Sequence, residues 1–204
     1  MPGILISLLT LMTPVQENSE WVSLFNGKNY SGLTFYISAG PERTFDVKDG
    51  CLWIKAPLAG YTYTRKKYSN FELEYEWKYE RPEDLTDDSK FAGNTGVLLH
   101  ISRIMKNWPK AVEIEGKYLE EGKLLFHSKA QGTFTDHEVA RKAAVKPVGQ
   151  WNQMQVLSKD GNILVRFNGK LVAEGTTDLK EGNIGFQAQG SDVFYRNIRI
   201  RELK

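Results

Sequence analysis

The sequence predicts an all-β protein, a two-sheet antiparallel jelly-roll sandwich carrying at most one or two short helices. Three observations lead there: a hydrophobic period of two, tight-turn pairs between the alternating runs, and a scarcity of helical signals. The clearest alternation is Phe71-Glu72-Leu73-Glu74-Tyr75-Glu76-Trp77, apolar at every odd position and acidic at every even one. That pattern marks a strand with one face on a core and the other toward solvent, as in antiparallel sheets. More than ten short strands in one chain, with little helix, need two packed sheets to bury their apolar faces.

Taken in order, residues 1–19 are set apart. Ile4-Leu5-Ile6-Ser7-Leu8-Leu9-Thr10-Leu11-Met12 has the length of an export-signal apolar region and is too short to span a bilayer. No Lys or Arg precedes it and no Ala-x-Ala site follows, so a buried first strand is the competing reading. The export reading puts the protein in the periplasm or cell envelope of a bacterium; the other leaves it cytoplasmic. Residues 20–204 then form one domain. Strands are expected at 51–55, 61–65, 71–77, 97–101, 111–115, 153–158, 162–167, 184–188 and 193–201. Lys48-Asp49-Gly50, Asp160-Gly161 and Asn168-Gly169 supply hairpin turns between neighbouring runs. Residues 80–95 are polar without periodicity and read as a long loop. Residues 136–146 form the one expected helix, with Asp136 as N-cap and Pro147 ending it.

Composition narrows the function classes. The 204 residues are 41% hydrophobic and 12% aromatic, enough for a sizeable core, and 27 basic against 25 acidic residues give a net charge of +2. That balance offers no case for a nucleic-acid partner, and no run is long enough for a transmembrane helix. The single cysteine, Cys51, excludes a disulfide framework and reads as a buried packing thiol. Three scattered histidines are a poor transition-metal signal, and there is no D-x-[DN]-x-[DN]-G calcium loop. No cofactor is expected. Oligomeric state is not legible.

Several segments together resemble the 3-keto-disaccharide hydrolase family. They are the opening W-V-S-L-F-N-G-K-N-Y-S-G-L (21–33), the strand Y-S-N-F-E-L-E-Y-E-W-K (68–78), N-T-G-V-L-L-H (94–100) and A-V-E-I-E-G (111–116). P-V-G-Q-W-N (147–152), E-G-N-I-G-F-Q (181–187) and F-Y-R-N-I-R-I-R-E-L (194–203) complete the series, in family order over residues 21–203. The resemblance implies a concanavalin A-like lectin/glucanase sandwich and a hydrolase acting on a disaccharide or glycoside, with a sugar oxidised at C3 as its substrate. The chain departs from the family pattern at Glu115, where the family has Gln, and at Ala188-Gln189, where it often has Asp-His. Glucanases of this fold carry E-x-D-x-x-E, but Tyr118 stands at the last carboxylate, so their retaining mechanism does not transfer. A non-catalytic carbohydrate-binding module of the envelope is the alternative.

Strand parity selects the candidate residues. If Val97, Leu99 and Ile101 face the core, His100 faces away; Val112 and Ile114 leave Glu113 and Glu115 together, and Phe186 leaves Gln187 and Gln189. Two carboxylates two residues apart on a strand lie about 6.5–7 Å apart, within reach of an acid–base pair. Their proximity should raise the pKa of one. His100 would add a group titrating near neutrality. Amides suit hydroxyls because they both donate and accept. Trp108, in the loop before the Glu113 strand, could stack on a sugar ring. The expectation is that Glu113, Glu115 and His100 are catalytic and that Gln187, Gln189 and Trp108 bind substrate, with no metal. His127 and His137 read as structural or solvated, Trp53 and Trp77 as core, and Arg196 as a residue pairing across the sandwich. Glu72, Glu74 and Glu76 should lie elsewhere, in solvent.

Overall fold

The computed structural model describes residues 20–37, 40–55, 58–103 and 108–204. The segment read as an export signal or first strand, residues 4–12, lies outside them. The strands are β1 Val22–Ser23, β2 Leu33–Ile37, β3 Phe45–Lys48, β4 Cys51–Ile54, β5 Gly60–Thr64, β6 Phe71–Tyr79, β7 Gly96–Arg103 and β8 Lys110–Glu115. They continue with β9 Leu124–His127, β10 Gly132–Asp136, β11 Asn152–Lys159, β12 Asn162–Phe167, β13 Lys170–Thr177, β14 Asn183–Ala188 and β15 Val193–Glu202. Among the described residues one short α-helix, α1 Glu138–Lys142, joins β10 to β11, and Pro41–Arg43 and Asp88–Lys90 each form a single 3-10 turn.

Two antiparallel sheets stack face to face. One runs β10-β13-β12-β11-β6-β15-β4-β3, with β1 also paired to β15, and the other runs β2-β5-β14-β7-β8-β9. The odd residues of β6 behave as their alternation predicts: Leu73, Tyr75 and Trp77 are buried between the sheets with Val97, Leu99, Val112, Ile114, Ile184 and Phe186 from the facing sheet. Each such side chain taken from water contributes roughly 1.5–3 kcal/mol, which fixes which face of every strand turns inward. The hairpin pairs Asp49-Gly50, Asp160-Gly161 and Asn168-Gly169 all adopt positive φ at both residues, the geometry of a two-residue turn matched to strand twist. Cys51 is buried, as expected for a packing thiol.

Three expectations need correction. The helix is shorter than 136–146, and Asp136 does not cap it: Asp136 ends β10 and accepts from Arg141 Nε and Nη2 at 3.1 and 2.9 Å. Trp53 is not core; it stacks on Phe194 at 5.8 Å, and its Nε1 donates to Asp192 at 3.0 Å. Arg196 pairs within its own sheet rather than across the sandwich, its Nε donating to Glu76 Oε2 at 2.6 Å. A bulge at Asn197, φ 51°, sets that phase. The extra residue puts Arg196, Arg199 and Arg201 on one outer face, opposite Glu76, Glu74 and Glu72. Those three glutamates do lie on the sheet away from Glu113, but each is held by one of these arginines rather than lying free in solvent.

Candidate active site

The outer face of the six-stranded sheet holds a second, smaller set of buried residues: Tyr61, Leu98, Ile101 and Ala111. Register orders the side chains on this face into rows. Ala111 lies opposite His127; Glu113 lies between Leu98 and Leu125; Glu115 lies opposite Gly96. The pairing Phe186↔Val97, continued by one residue, brings Gln187 across from Gly96 on its other side, and Gln187 is itself opposite Tyr61. One row further, Asn94 bridges Gln189. Glu113, Glu115, Gln187 and Gln189 therefore share one face, as parity predicted.

Gly96 shapes the centre. Any side chain there would collide with Glu113 Oε1, so the missing Cβ leaves the depression into which that carboxylate reaches. The other oxygen, Oε2, meets His127 Nε2 at 2.5 Å. His127 in turn stacks on Trp108, ring centres 4.9 Å apart and 26° from parallel, and Ser128 Oγ donates to the Trp108 carbonyl at 2.6 Å. Trp108 stays 38% exposed. It forms an apolar lid on the imidazole, and a face of the right character for a sugar's C–H surface.

The two carboxylates are 2% and 6% exposed. Burial pushes the Glu113 carboxyl upward, against the pull of His127. Burial, then the charge of Glu113, raises Glu115 to about 7, against the backbone N–H groups of Gly116 and Lys117, which donate to its Oε1 at 2.9 and 2.8 Å. Losing water is thus the dominant cause at both groups, and crowding between like charges is the second cause at Glu115. Around them, Tyr61 Oη, Asn94 Oδ1, Gln187 Oε1 and Gln189 Oε1 are buried without a hydrogen-bond partner among the described residues. Unmet buried polar atoms cost about 1–3 kcal/mol each, and these four lie together on one face of the sheet.

His100 does not join this group. The pairing of β7 shifts around it, and its φ of 53° marks a bulge that adds one residue. Leu99 and His100 both turn inward while Ile101 returns to the outer face. His100 Nε2 meets Ser158 Oγ of the other sheet at 2.8 Å, its ring lies 5.4 Å from Phe71, and burial lowers its pKa to about 4. It is a neutral histidine of the sandwich interior. The imidazole beside Glu113 is His127, which sequence reasoning passed over. Its signal was local: Leu124 and Phe126 turn inward, so Leu125 and His127 share the outer face once β9 pairs with β8. His137 sits far along the chain, its Nε2 3.2 Å from Glu174 on the surface.

The outer face thus carries a buried carboxylate, Glu113, held by the half-buried imidazole of His127, and the fold is that of the concanavalin A-like lectins and glucanases. A β-glucanase of Bacillus licheniformis shares it at a TM-score of 0.55 and 10% identity, over 91% of this chain and 98% of that one. A family model described as the 3-keto-alpha-glucoside-1,2-lyase-like domain matches residues 20–201, and the chain belongs to this family. A 3-keto-disaccharide hydrolase of Bacteroides thetaiotaomicron is 23% identical over 95% of this chain and 82% of the relative. A solved structure from Parabacteroides distasonis, provisionally named a glycosyl hydrolase, is 26% identical with a TM-score of 0.66, covering 90% of this chain and 100% of that one.

Proposed function

We propose that the protein cleaves the glycosidic bond of a 3-keto glycoside by elimination at C1–C2, followed by addition of water. The observation that carries this reading is buried Glu113 paired with half-buried His127 under Trp108, with Glu115 on the same strand face. A C3 carbonyl acidifies the C2 hydrogen, so a carboxylate of raised basicity is the group such a substrate needs. Glu113 takes the C2 proton, and the C–H electron pair forms the C1–C2 double bond as the C1–O bond breaks. The departing oxygen takes a proton from Glu115, whose pKa of about 7 keeps much of it protonated near neutrality. Water then adds across the double bond, hydroxyl to C1 and hydrogen back to C2. His127 holds Glu113 Oε2 in place and leaves Oε1 to face the depression over Gly96.

The family membership and the names of its relatives support the substrate class. Purified protein incubated with a 3-keto-α-glucoside should release its aglycone, while the same glycoside with an unoxidised C3 hydroxyl should not react. Equal cleavage of both would remove the elimination route. No release from either, with the sugar still bound, would turn the reading to a carbohydrate-binding module.

A further inference from the structure

The rows on the outer face of the six-stranded sheet have a direction. From β8 they run Ala111 with His127, then Glu113, then Glu115 with Gly96 and Gln187, then Asn94 with Gln189. Successive rows lie about 6.5–7 Å apart. The base and the aromatic pair Trp108–His127 occupy one end, and the group placed to protonate the leaving oxygen comes one row later. Gln187 stands in the row of Glu115, Asn94 and Gln189 in the next, and these three amides carry the unpartnered buried oxygens Asn94 Oδ1, Gln187 Oε1 and Gln189 Oε1. Gln187 is 2% exposed, so its amide is built into the sheet rather than hanging in solvent.

We infer that Asn94, Gln187 and Gln189 form a separate subsite for the leaving sugar, one that takes a neutral hexose through its hydroxyl groups. This assignment rests on the cleavage reading above. The sugar that loses its C2 proton lies over Glu113 and against Trp108, and the bond to be broken points along β8 toward Glu115. Its partner ring therefore falls on the amide row. Each amide offers both an acceptor and donors, which matches a hydroxyl's own mixed character. None of these three residues is charged, Glu115 shares the row of Gln187 and Glu113 stands one row further, so a uronic acid or sugar phosphate meets repulsion there with no cation from these three residues to offset it.

Two substrates on one protein test the subsite. kcat/KM is measured for wild type, Asn94→Ala and Gln189→Ala with a 3-keto disaccharide and with a methyl 3-keto-α-glucoside, whose leaving group is methanol. Each variant should lose about tenfold more on the disaccharide than on the methyl glycoside, the scale of one lost hydrogen bond, with the difference in KM. Equal losses on both substrates, or none on either, overturn the assignment. Gln189→Met, of similar length, replaces the alanine variant if that one melts early. A second arm needs no turnover: saturation-transfer NMR should show D-glucose bound to wild type, but not D-glucuronate, and no glucose signal with the Asn94→Ala/Gln189→Ala double variant. Glucose and glucuronate binding alike, or glucose binding undiminished in the double variant, also overturns it. Glucose bound as expected, but neither 3-keto substrate cleaved, defeats the elimination mechanism and leaves the sugar subsite standing.

Discussion

Each sheet of the sandwich turns a row of glutamates outward, and the two rows live in opposite electrostatic surroundings. On β6, Glu74 and Glu76 meet Arg199 Nη2 and Arg196 Nε at 2.5 and 2.6 Å, Glu72 meets Arg201, and Gln155 adds a 2.9 Å bond to Glu74. Trp21 covers Arg199 and Arg201, and Trp151 lies 3.8 Å from the Arg196 guanidinium. On β8, Glu113 and Glu115 are more deeply buried: Glu113 meets the imidazole of His127, and Glu115 accepts from the backbone N–H groups of Gly116 and Lys117 rather than from a guanidinium. One row is neutralised charge for charge and works as a structural ladder; the other retains raised proton affinity and can do chemistry. Alternation in a strand says which residues face outward. The neighbouring strand decides what they are for.

Exchanging single atoms in the two rows breaks this contrast at different scales. Glu113→Gln should reduce turnover of a 3-keto glycoside by ~10²-fold or more, the usual size of lost acid–base help, with a melting temperature close to that of wild type. A loss below fivefold would return Glu113 to a structural role.

The next effect is on stability against pH, and its sign separates the rows. Burial raises Glu115 to about 7, and Glu121, also buried, is raised to about 7 by the same cause. Their folded-state pKa values lie above the ordinary carboxylate value of about 4.3, so between that pH and about 7 the folded state holds more protons than the unfolded one. Stability should then fall as pH rises through this window, with part of the fall offset by His100, whose pKa, lowered to about 4, contributes the opposite slope up to the ordinary imidazole value. Denaturant melts at a series of pH values should show that fall, and Glu115→Gln should flatten it. A slope unchanged in the variant would place Glu115 in water.

Smallest is the ladder. Glu74→Gln should cost under about 1 kcal/mol, as partly exposed ion pairs do, and should leave turnover unaltered. A larger loss of activity than of stability would mean the two faces communicate.

Much of this was legible in the sequence, and the failures have physical reasons. Strands with strict alternation or a two-residue turn at one end could be placed, because period and turn together fix the register. Glu113, Glu115 and Gln187 followed from parity on strands whose pairing stays regular through those positions. His100 did not, because its bulge is made by a non-glycine residue at positive φ, which nothing in V-L-L-H-I-S announces. His127 was missed for another reason. The connection from β8 to β9 runs through residues 116–123, too long for turn chemistry to set the register that delivers the imidazole to Glu113. β10, Gly132–Asp136, is an edge strand with little buried surface, so its sequence lacks the apolar alternation that reveals the others.

The claim that Glu113 removes a proton from C2 can be tested on the sugar itself. In D2O, NMR of the 3-keto sugar released by wild-type protein should show deuterium at C2, and Glu113→Gln should lose that incorporation together with turnover. Aglycone release at full rate with the C2 hydrogen retained would contradict the account.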